Sequence, residues 1–201
     1  CTEQTLSRFL PNVVTYRALK QLGIDRPDLT NTLPSQVAVG LQRLYNRQNI
    51  DGGWGWWAAE ESNPFVSGYV IFGLVQARQA GIAVDSTVLD RGLRYIERQL
   101  KAAKDLTGYQ TNQQAFLLYV LAEAGRGSVG RSVALFDVRE RLANYGKAYL
   151  ALALSTLDAA QGASTPPTPA PLFTSTITVT VPTLQPTPTA QPDAPTATPA
   201  P

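Results

Sequence analysis

Hydrophobic positions divide the first 162 residues into two alternating kinds of segment. Four segments are apolar on nearly every side: Val13–Leu22, Phe65–Ala77, Ala115–Ala124 and Ala148–Leu157. Three others carry one apolar stripe and a charged face: Ser35–Gln48, Ser86–Ala102 and Val133–Tyr145. A helix that is apolar all round has to be packed on every side, whereas a striped helix faces water. The alternation therefore predicts an all-α fold with an inner and an outer layer of helices.

Capping and turn residues mark the ends of several of these helices. Asn63 and Asp85 precede apolar segments and are residue types that typically cap a helix start. Gly81 follows one helix, and we expect loops at residues 125–130 and at Gly146. Short connections between consecutive helices favour antiparallel hairpins.

Residues 163–201 differ sharply in composition from the rest of the chain. They hold eleven of the fifteen prolines, eleven threonines and a single charged residue, Asp193. Such a segment buries too little apolar surface to offset the entropy lost on ordering, so it predicts a disordered Pro/Thr-rich linker or tail. The β-branched run Thr174–Val181 is the exception and is typical of a strand. The sequence thus predicts a helical domain at 1–162 and a low-complexity tail at 163–201.

Composition excludes several kinds of function. The chain has no histidine and one cysteine, which excludes a Ser–His or Cys–His nucleophile pair, a His-ligated metal and an internal disulfide. No cofactor site is indicated. A net charge of +2 gives no reason to expect nucleic acid as a partner. Because methionine is absent as well, we expect a processed or excised piece of a longer polypeptide, here called the parent.

One motif, Cys1-Thr2-Glu3-Gln4, suggests reactive chemistry. Positions i and i+3 share a helix face, so the Cys1 sulfur and the Gln4 carboxamide can meet. Attack of the thiolate on that carboxamide, with loss of ammonia, would leave a thioester that an amine or hydroxyl can open. Two other interpretations stay open on the motif alone: an ordinary buried thiol, and the lipid-modified first residue of a lipoprotein.

Several segments in order resemble the thioester domain of bacterial alpha-2-macroglobulins. They are Cys1–Asn12, Asn46–Trp57, Ser67–Ala80 and Tyr145–Leu154. The resemblance implies an α/α toroid, a ring of helical hairpins, with Cys1 and Gln4 as the thioester pair. Seven predicted helices are too few to close that ring, so we expect an incomplete one.

The resemblance also implies a function for the parent. Members are broad-spectrum peptidase inhibitors: a peptidase cuts a bait region, the thioester is exposed, and the peptidase is trapped covalently through its surface amines. The expected partners are therefore target peptidases and the other macroglobulin domains of the parent. The expected activity is a single-use covalent trap, not a turnover enzyme, in an extracytoplasmic location, either periplasmic or at the cell surface. In complement relatives a histidine assists transfer to hydroxyls. None lies near Lys101–Gly108, which predicts a preference for amines.

Two further features lie close to this chemistry. Glu3 could orient the Gln4 amide or act as a local base. Three tryptophans, Trp54, Trp56 and Trp57, follow the glycines of one loop. They are interpreted either as a hairpin cap packed on the helix ends, or as an aromatic shield over the thioester or a docking surface for a neighbouring domain.

Two functions of other classes remain as alternatives. One is a structural helical module on a Pro/Thr stalk, tethered by a lipid at Cys1. The other is an enzyme with a toroid fold, which would need clustered carboxylates or metal ligands at the inner helix ends. The sequence has no Asp-rich motif, which disfavours the enzyme.

Overall fold

The computed structural model describes residues 1–164, all of which lie in one compact unit, Cys1–Pro166. These residues form helices and no strands: α1 Thr2–Leu22, α2 Pro27–Thr30, α3 Leu33–Tyr45, α4 Pro64–Gln79, α5 Ser86–Gln99, α6 Tyr109–Glu123, α7 Val129–Asp137 and α8 Asn144–Ser164. Two short 3-10 turns, Ala103–Asp105 and Arg139–Arg141, interrupt the connections. The strand predicted at Thr174–Val181 and the predicted disorder of the tail both fall outside the described residues.

The long helices pack in two layers. Helices α1, α4, α6 and α8 contact one another in that order, while α3 packs on α1, α5 on α4, and α7 on α6 and α8. The first set contains the segments predicted to be apolar all round, and the second contains the striped ones. The predicted all-α fold with two layers of hairpins is therefore confirmed. Within residues 1–164, no helix is long and apolar enough to cross a lipid bilayer.

Burial is uneven along the inner layer. Ten of the sixteen residues of α4 and ten of the fifteen residues of α6 are buried, as predicted. The prediction is wrong for Val13–Leu22, because Val14 is 50% exposed and Leu22 is 71% exposed. It is also wrong for Ala148–Leu157, where Leu152 is 48% exposed. The reason is position: α4 and α6 have inner-layer neighbours on both sides, whereas α1 and α8 each have one such neighbour in the described chain.

The last third of the chain departs from prediction in two places. The predicted helix Val133–Tyr145 is replaced by the shorter α7, which begins at Val129 after the Ser128 cap, and by a 3-10 turn. Leu142 then turns into the core, where it is 4% exposed. Gly146 was expected in a loop but lies inside the first turn of α8. The predicted loop at 125–130 likewise ends early, since Val129 begins α7.

Close packing explains the glycine in the first turn of α8. A Cβ at Gly146 would fall on the Oδ1 atom of Asn112, which accepts a hydrogen bond from the Ala143 backbone N–H at 2.8 Å. We expect Gly146→Ala to lower the free energy of unfolding by about 1–3 kcal/mol, because overpacking displaces this buried amide. Chemical denaturation of the 201-residue chain measures the change.

Gly130 in α7 is the matched control, because nothing lies within 4 Å of its would-be Cβ. At a helical position with free space around it, replacing glycine with alanine raises the free energy of unfolding by roughly 0.5–1 kcal/mol. Equal effects of Gly146→Ala and Gly130→Ala would contradict the close packing described for α8.

Candidate functional site

The first turn of α1 brings together the side chains of Cys1 and Gln4. Cys1 is the N-cap of the helix, and its Sγ accepts a hydrogen bond from the Gln4 backbone N–H at 3.3 Å. In return, the Cys1 nitrogen donates to the Gln4 Oε1 atom at 3.5 Å. This reciprocal arrangement is a capping box. The Cys1 thiol is free and half-buried, Gln4 is exposed, and both residues line one cavity at this helix end.

The helix end also supplies a favourable electrostatic field. Helix α1 is 21 residues long, and Cys1 and Gln4 lie at its N-terminal end. The positive end of a helix dipole stabilises nearby negative charge by about 0.3–1 kcal/mol at an exposed position. Both a thiolate at Cys1 and an oxyanion formed at the Gln4 carbonyl carbon would gain from this field.

Glu3 lies between Cys1 and Ser7. Its Oε2 atom is 3.9 Å from the Cys1 Sγ, which donates to it, and its Oε1 atom accepts a short hydrogen bond from the Ser7 hydroxyl. The carboxylate is therefore held from one side while it faces the sulfur from the other. In this position it can accept a proton from the thiol or from a group that approaches it.

The loop Asp51–Trp57, here called the tryptophan loop, is attached directly to this helix end. The Trp56 backbone carbonyl accepts a hydrogen bond from the Thr2 N–H at 2.8 Å, which satisfies one of the free donors of the first turn of α1. Trp54 is fully buried, with its Nε1 bonded to the Leu44 carbonyl at 2.8 Å and its backbone N–H bonded to the Ser67 Oγ at 2.8 Å. Of the two interpretations of the tryptophans, the hairpin cap fits Trp54 and the shield or docking surface does not, because its ring reaches the core and not the surface.

The other two tryptophans remain accessible. Trp56 is 41% exposed and Trp57 is 63% exposed. The Trp56 backbone carbonyl is bonded to the start of α1, so these exposed residues lie in a segment that is attached next to Cys1. Solvent-exposed aromatic groups of this size are a common feature of protein contact surfaces.

A polar network keeps the loop in place. The Asp51 Oδ1 atom accepts from the Gly53 N–H at 2.9 Å and from the Ser62 hydroxyl at 2.7 Å. Tyr95 donates its hydroxyl to the Ser62 carbonyl at 3.0 Å. Burial, with a further contribution from the Asp51 charge, raises the pKa of Tyr95 to about 12. Tyr95 is thus a protonated structural donor at neutral pH, and the loop geometry does not depend on its titration.

A cavity of about 260 Å³ opens beside the pair. Its lining residues are Cys1, Gln4, Thr5, Arg8, Arg43 and Arg47. The arginines come from α1 and from the end of α3, which pack together. Arg8 lies two helical turns after Cys1, a spacing that places it on the same face. Nothing in the sequence indicates that Arg43 and Arg47 join them, because that depends on how α3 packs on α1.

Residues 101–108 are the counterpart of the segment that carries the histidine in complement relatives. They are hydrogen-bonded to α6 through Lys101. The Gln114 side chain, which is 5% exposed, accepts from the Lys101 N–H and donates to the Lys101 carbonyl, both at 2.9 Å. Residues 101–108 contain no histidine. Within the described chain, no three His, Cys, Asp or Glu side chains converge to hold a metal ion.

Comparison with known families decides the assignment. A family model described as the A-macroglobulin TED domain, the thioester domain, matches residues 1–117, more than half of the chain. The chain belongs to this family. Among similar proteins, the alpha-2-macroglobulin of Thermotoga maritima is 40% identical over 102 residues, which cover 51% of this chain and 6% of that protein. The chain therefore spans a small part of the relatives that it matches.

Solved structures of bacterial alpha-2-macroglobulins share the fold of this TED domain. Native alpha-2-macroglobulin from Escherichia coli, spanning domain MG7 to the C-terminus, matches with a TM-score of 0.64 and 27% identity. The match covers 82% of this chain and 27% of that one. Salmonella alpha-2-macroglobulin reacted with methylamine also matches with a TM-score of 0.64 and 27% identity, over 82% of this chain and 11% of that one. The helical layers are thus those of the α/α toroid of the TED domain.

Proposed function

We propose that Cys1 and Gln4 form an internal thioester and that this bond is the functional group of the domain. In the forming step, the Cys1 sulfur attacks the Gln4 side-chain carbonyl carbon. The carbon–nitrogen bond breaks, and the amide nitrogen leaves as ammonia with the thiol proton. The observation that carries the proposal is the reciprocal cap, which holds the side chains of Cys1 and Gln4 at the start of α1, on the wall of one cavity. The helix dipole favours the oxyanion in both the forming and the opening step.

Opening the bond transfers the acyl group. An incoming amine adds to the thioester carbonyl, the carbon–sulfur bond breaks, and the products are a substituted amide at Gln4 and a free Cys1 thiol. Glu3 is suited to take the proton that the amine loses, because its carboxylate lies 3.9 Å from the Cys1 sulfur. The reaction occurs once per molecule, so the domain is a covalent trap and not a turnover enzyme.

At the level of the parent, we propose an alpha-2-macroglobulin-like inhibitor of broad peptidase specificity. Membership of the TED family supports this role. The partners would be target peptidases, bound through surface amines, and the other macroglobulin domains of the parent. An extracytoplasmic location suits a stored thioester, because cytosolic thiols and amines would consume it. In this division, residues 1–162 form the partial thioester domain and 163–201 a separate Pro/Thr-rich segment.

The other interpretations of Cys1 fit the site less well. An ordinary structural thiol is normally buried among apolar side chains, whereas Cys1 is half-buried and lines a polar cavity. A lipid-bearing cysteine gives no role to the contacts with Gln4 and Glu3. Incorporation of methylamine by the parent, with release of one thiol, tests the thioester against both.

The thioester is expected to prefer amines to hydroxyls. Residues 101–108 contain no histidine, so no imidazole there can act as the base that a hydroxyl nucleophile needs. Labelling the parent with methylamine and, in parallel, with glycerol at equal concentration measures the preference. We expect methylamine to react faster by at least about 10²-fold, the lower end of what a general base contributes. Equal labelling by both would contradict the expectation.

For Trp57, we propose a contact with a neighbouring domain that shields the thioester. Its ring is 63% exposed, so Trp57→Ala is expected to change the free energy of unfolding of the chain by less than about 0.5 kcal/mol. In the uncleaved parent, the same substitution is expected to speed hydrolysis of the thioester. Denaturation and thiol release measure the two effects. Unfolding of the Trp57→Ala chain would instead make this residue part of the hairpin cap.

A further inference from the structure

Three guanidinium groups beside the thioester pair lack an acidic partner. Arg8 lies on α1, Arg43 on α3 and Arg47 just after α3. Among residues 1–164, none of the three forms an ion pair or a side-chain hydrogen bond. Some other arginines of the chain are neutralised: Arg126, for example, pairs with Asp90 at 2.7 Å and with Glu97 at 2.8 Å. The three arginines therefore concentrate positive charge at one place.

The charge cluster is unfavourable in the isolated domain. The Arg47 Nη1 atom is buried and has no hydrogen-bond partner. A buried charged donor without a partner loses its hydration and gains nothing in return. Arg43 and Arg47 are also four residues apart, a spacing at which like charges repel. A carboxylate placed between them would relieve both effects with charge-assisted hydrogen bonds.

The arginines line a groove made of two cavities that share lining residues. The cavity at Cys1 adjoins a second one of about 450 Å³, and both are lined by Thr5, Arg8 and Arg43. The floor is tight, because a Cβ at Gly40 would lie 2.7 Å from the Cδ2 atom of Phe9. We call this feature, lined by Arg8, Arg43 and Arg47 and running from Cys1 between α1 and α3, the arginine groove.

We propose that the arginine groove binds the carboxylate side chains of an acidic segment from a neighbouring domain of the parent. The bound segment covers the cavity of which Cys1 and Gln4 form one wall. Its release on activation leaves that wall open to an amine. The binding stands on the arginines alone, whereas its effect on the thioester rests on the proposed function.

A resident partner fits better than a target protein that arrives later. The buried Arg47 Nη1 atom lowers the stability of the domain while it lacks a hydrogen-bond partner. A permanently bound neighbour would supply that partner for as long as the protein is uncleaved. The chain covers 6% of one relative, and a parent of similar length would contain many neighbouring domains. The Pro/Thr-rich segment of this chain contains one charged residue, Asp193, which is too few carboxylates to match three arginines.

The first experiment measures binding to the 201-residue chain by calorimetry. Hexaglutamate is the probe, and hexalysine is the control of opposite charge. We expect hexaglutamate alone to bind, and to bind more weakly as salt rises. The triple substitution Arg8→Gln, Arg43→Gln, Arg47→Gln is expected to weaken binding at least about tenfold through loss of charge-assisted contacts. Arg131→Gln is the control, since Arg131 is exposed on α7 and also lacks an ion pair. It is expected to leave binding unchanged.

The second experiment uses the uncleaved parent and follows its rate of reaction with methylamine. We expect the triple variant to react about tenfold faster than the wild type, matching the lost binding of the acidic segment. Raising the salt concentration should speed the wild type and not the variant. If the triple variant does not fold, Arg47→Gln alone and the salt dependence of the wild type provide the same test.

Two outcomes overturn the proposal. Failure of the wild-type chain to bind hexaglutamate, or equal binding by the triple variant, removes the groove as a carboxylate site. Binding that is lost in the triple variant, with an unchanged methylamine rate in the parent, removes the neighbouring domain as its occupant. A parent with no thioester contradicts the proposed function and leaves the hexaglutamate result standing, so the two failures are distinguishable.

Discussion

Replacing Cys1 with alanine in the parent is expected to abolish covalent capture of methylamine and of peptidases. The sulfur is the leaving group of the proposed thioester, and no other cysteine in this chain can replace it. Gln4→Ala is expected to have the same effect, because it removes the acyl group. The measurement is incorporation of labelled methylamine, together with covalent peptidase adducts seen under denaturing conditions. Both should fall to background.

The fold should survive these substitutions. Cys1 contributes an N-cap, and losing a cap costs about 0.5–2 kcal/mol. Gln21→Ala provides a matched control, because Gln21 is another exposed glutamine of α1. This variant should capture methylamine as the wild type does. Full capture by a folded Cys1→Ala protein would contradict the assignment of the reactive residue.

Trp54→Ala is expected to cause the largest loss of stability among single substitutions in the tryptophan loop. Its side chain is fully buried among residues of α3, α4 and α5, and truncating a buried tryptophan costs about 3–5 kcal/mol. Domains typically have a total free energy of unfolding of about 5–15 kcal/mol, so the variant should be marginally folded. Chemical denaturation of the chain, followed by circular dichroism, measures the change.

Trp54→Phe separates packing from hydrogen bonding. It keeps most of the ring but leaves the Leu44 carbonyl without the indole donor, at a cost of about 1–3 kcal/mol. In the parent, Trp54→Ala should also make the thioester more labile, because the loop that supplies the Trp56 carbonyl to Thr2 would lose its anchor. A stable Trp54→Ala chain would contradict the role of this residue as the core of the loop.

The periodicity of apolar residues and the capping residues predicted much of the fold. The alternation of apolar and striped segments predicted both layers, and Asn63 and Asp85 do cap α4 and α5. It was wrong about the outer side of α1 and of α8, because periodicity shows which residues are apolar but not how many neighbours a helix has. Gly146 illustrates a related limit: its glycine reflects the approach of Asn112 from another helix, and not a loop.

The site was only partly predictable for similar reasons. The i, i+3 spacing places Cys1 and Gln4 at one helix end, since that contact is local. The three tryptophans lie in an irregular loop, where no period indicates which ring points inwards. The backbone contacts of Trp54 with Ser67 decide this. Arg43 and Arg47 reach the cavity only through the packing of α3 on α1, so a pattern in the chain gives no sign of them.

The most direct test of the central claim is an intact mass with thiol alkylation, on the parent and on this chain, before and after methylamine. The account predicts a parent that is lighter than its sequence by one ammonia and resists alkylation. Methylamine should then add to the protein and release one alkylatable thiol, at Cys1. A parent of full sequence mass, with Cys1 alkylated at once and no methylamine added, would contradict the thioester.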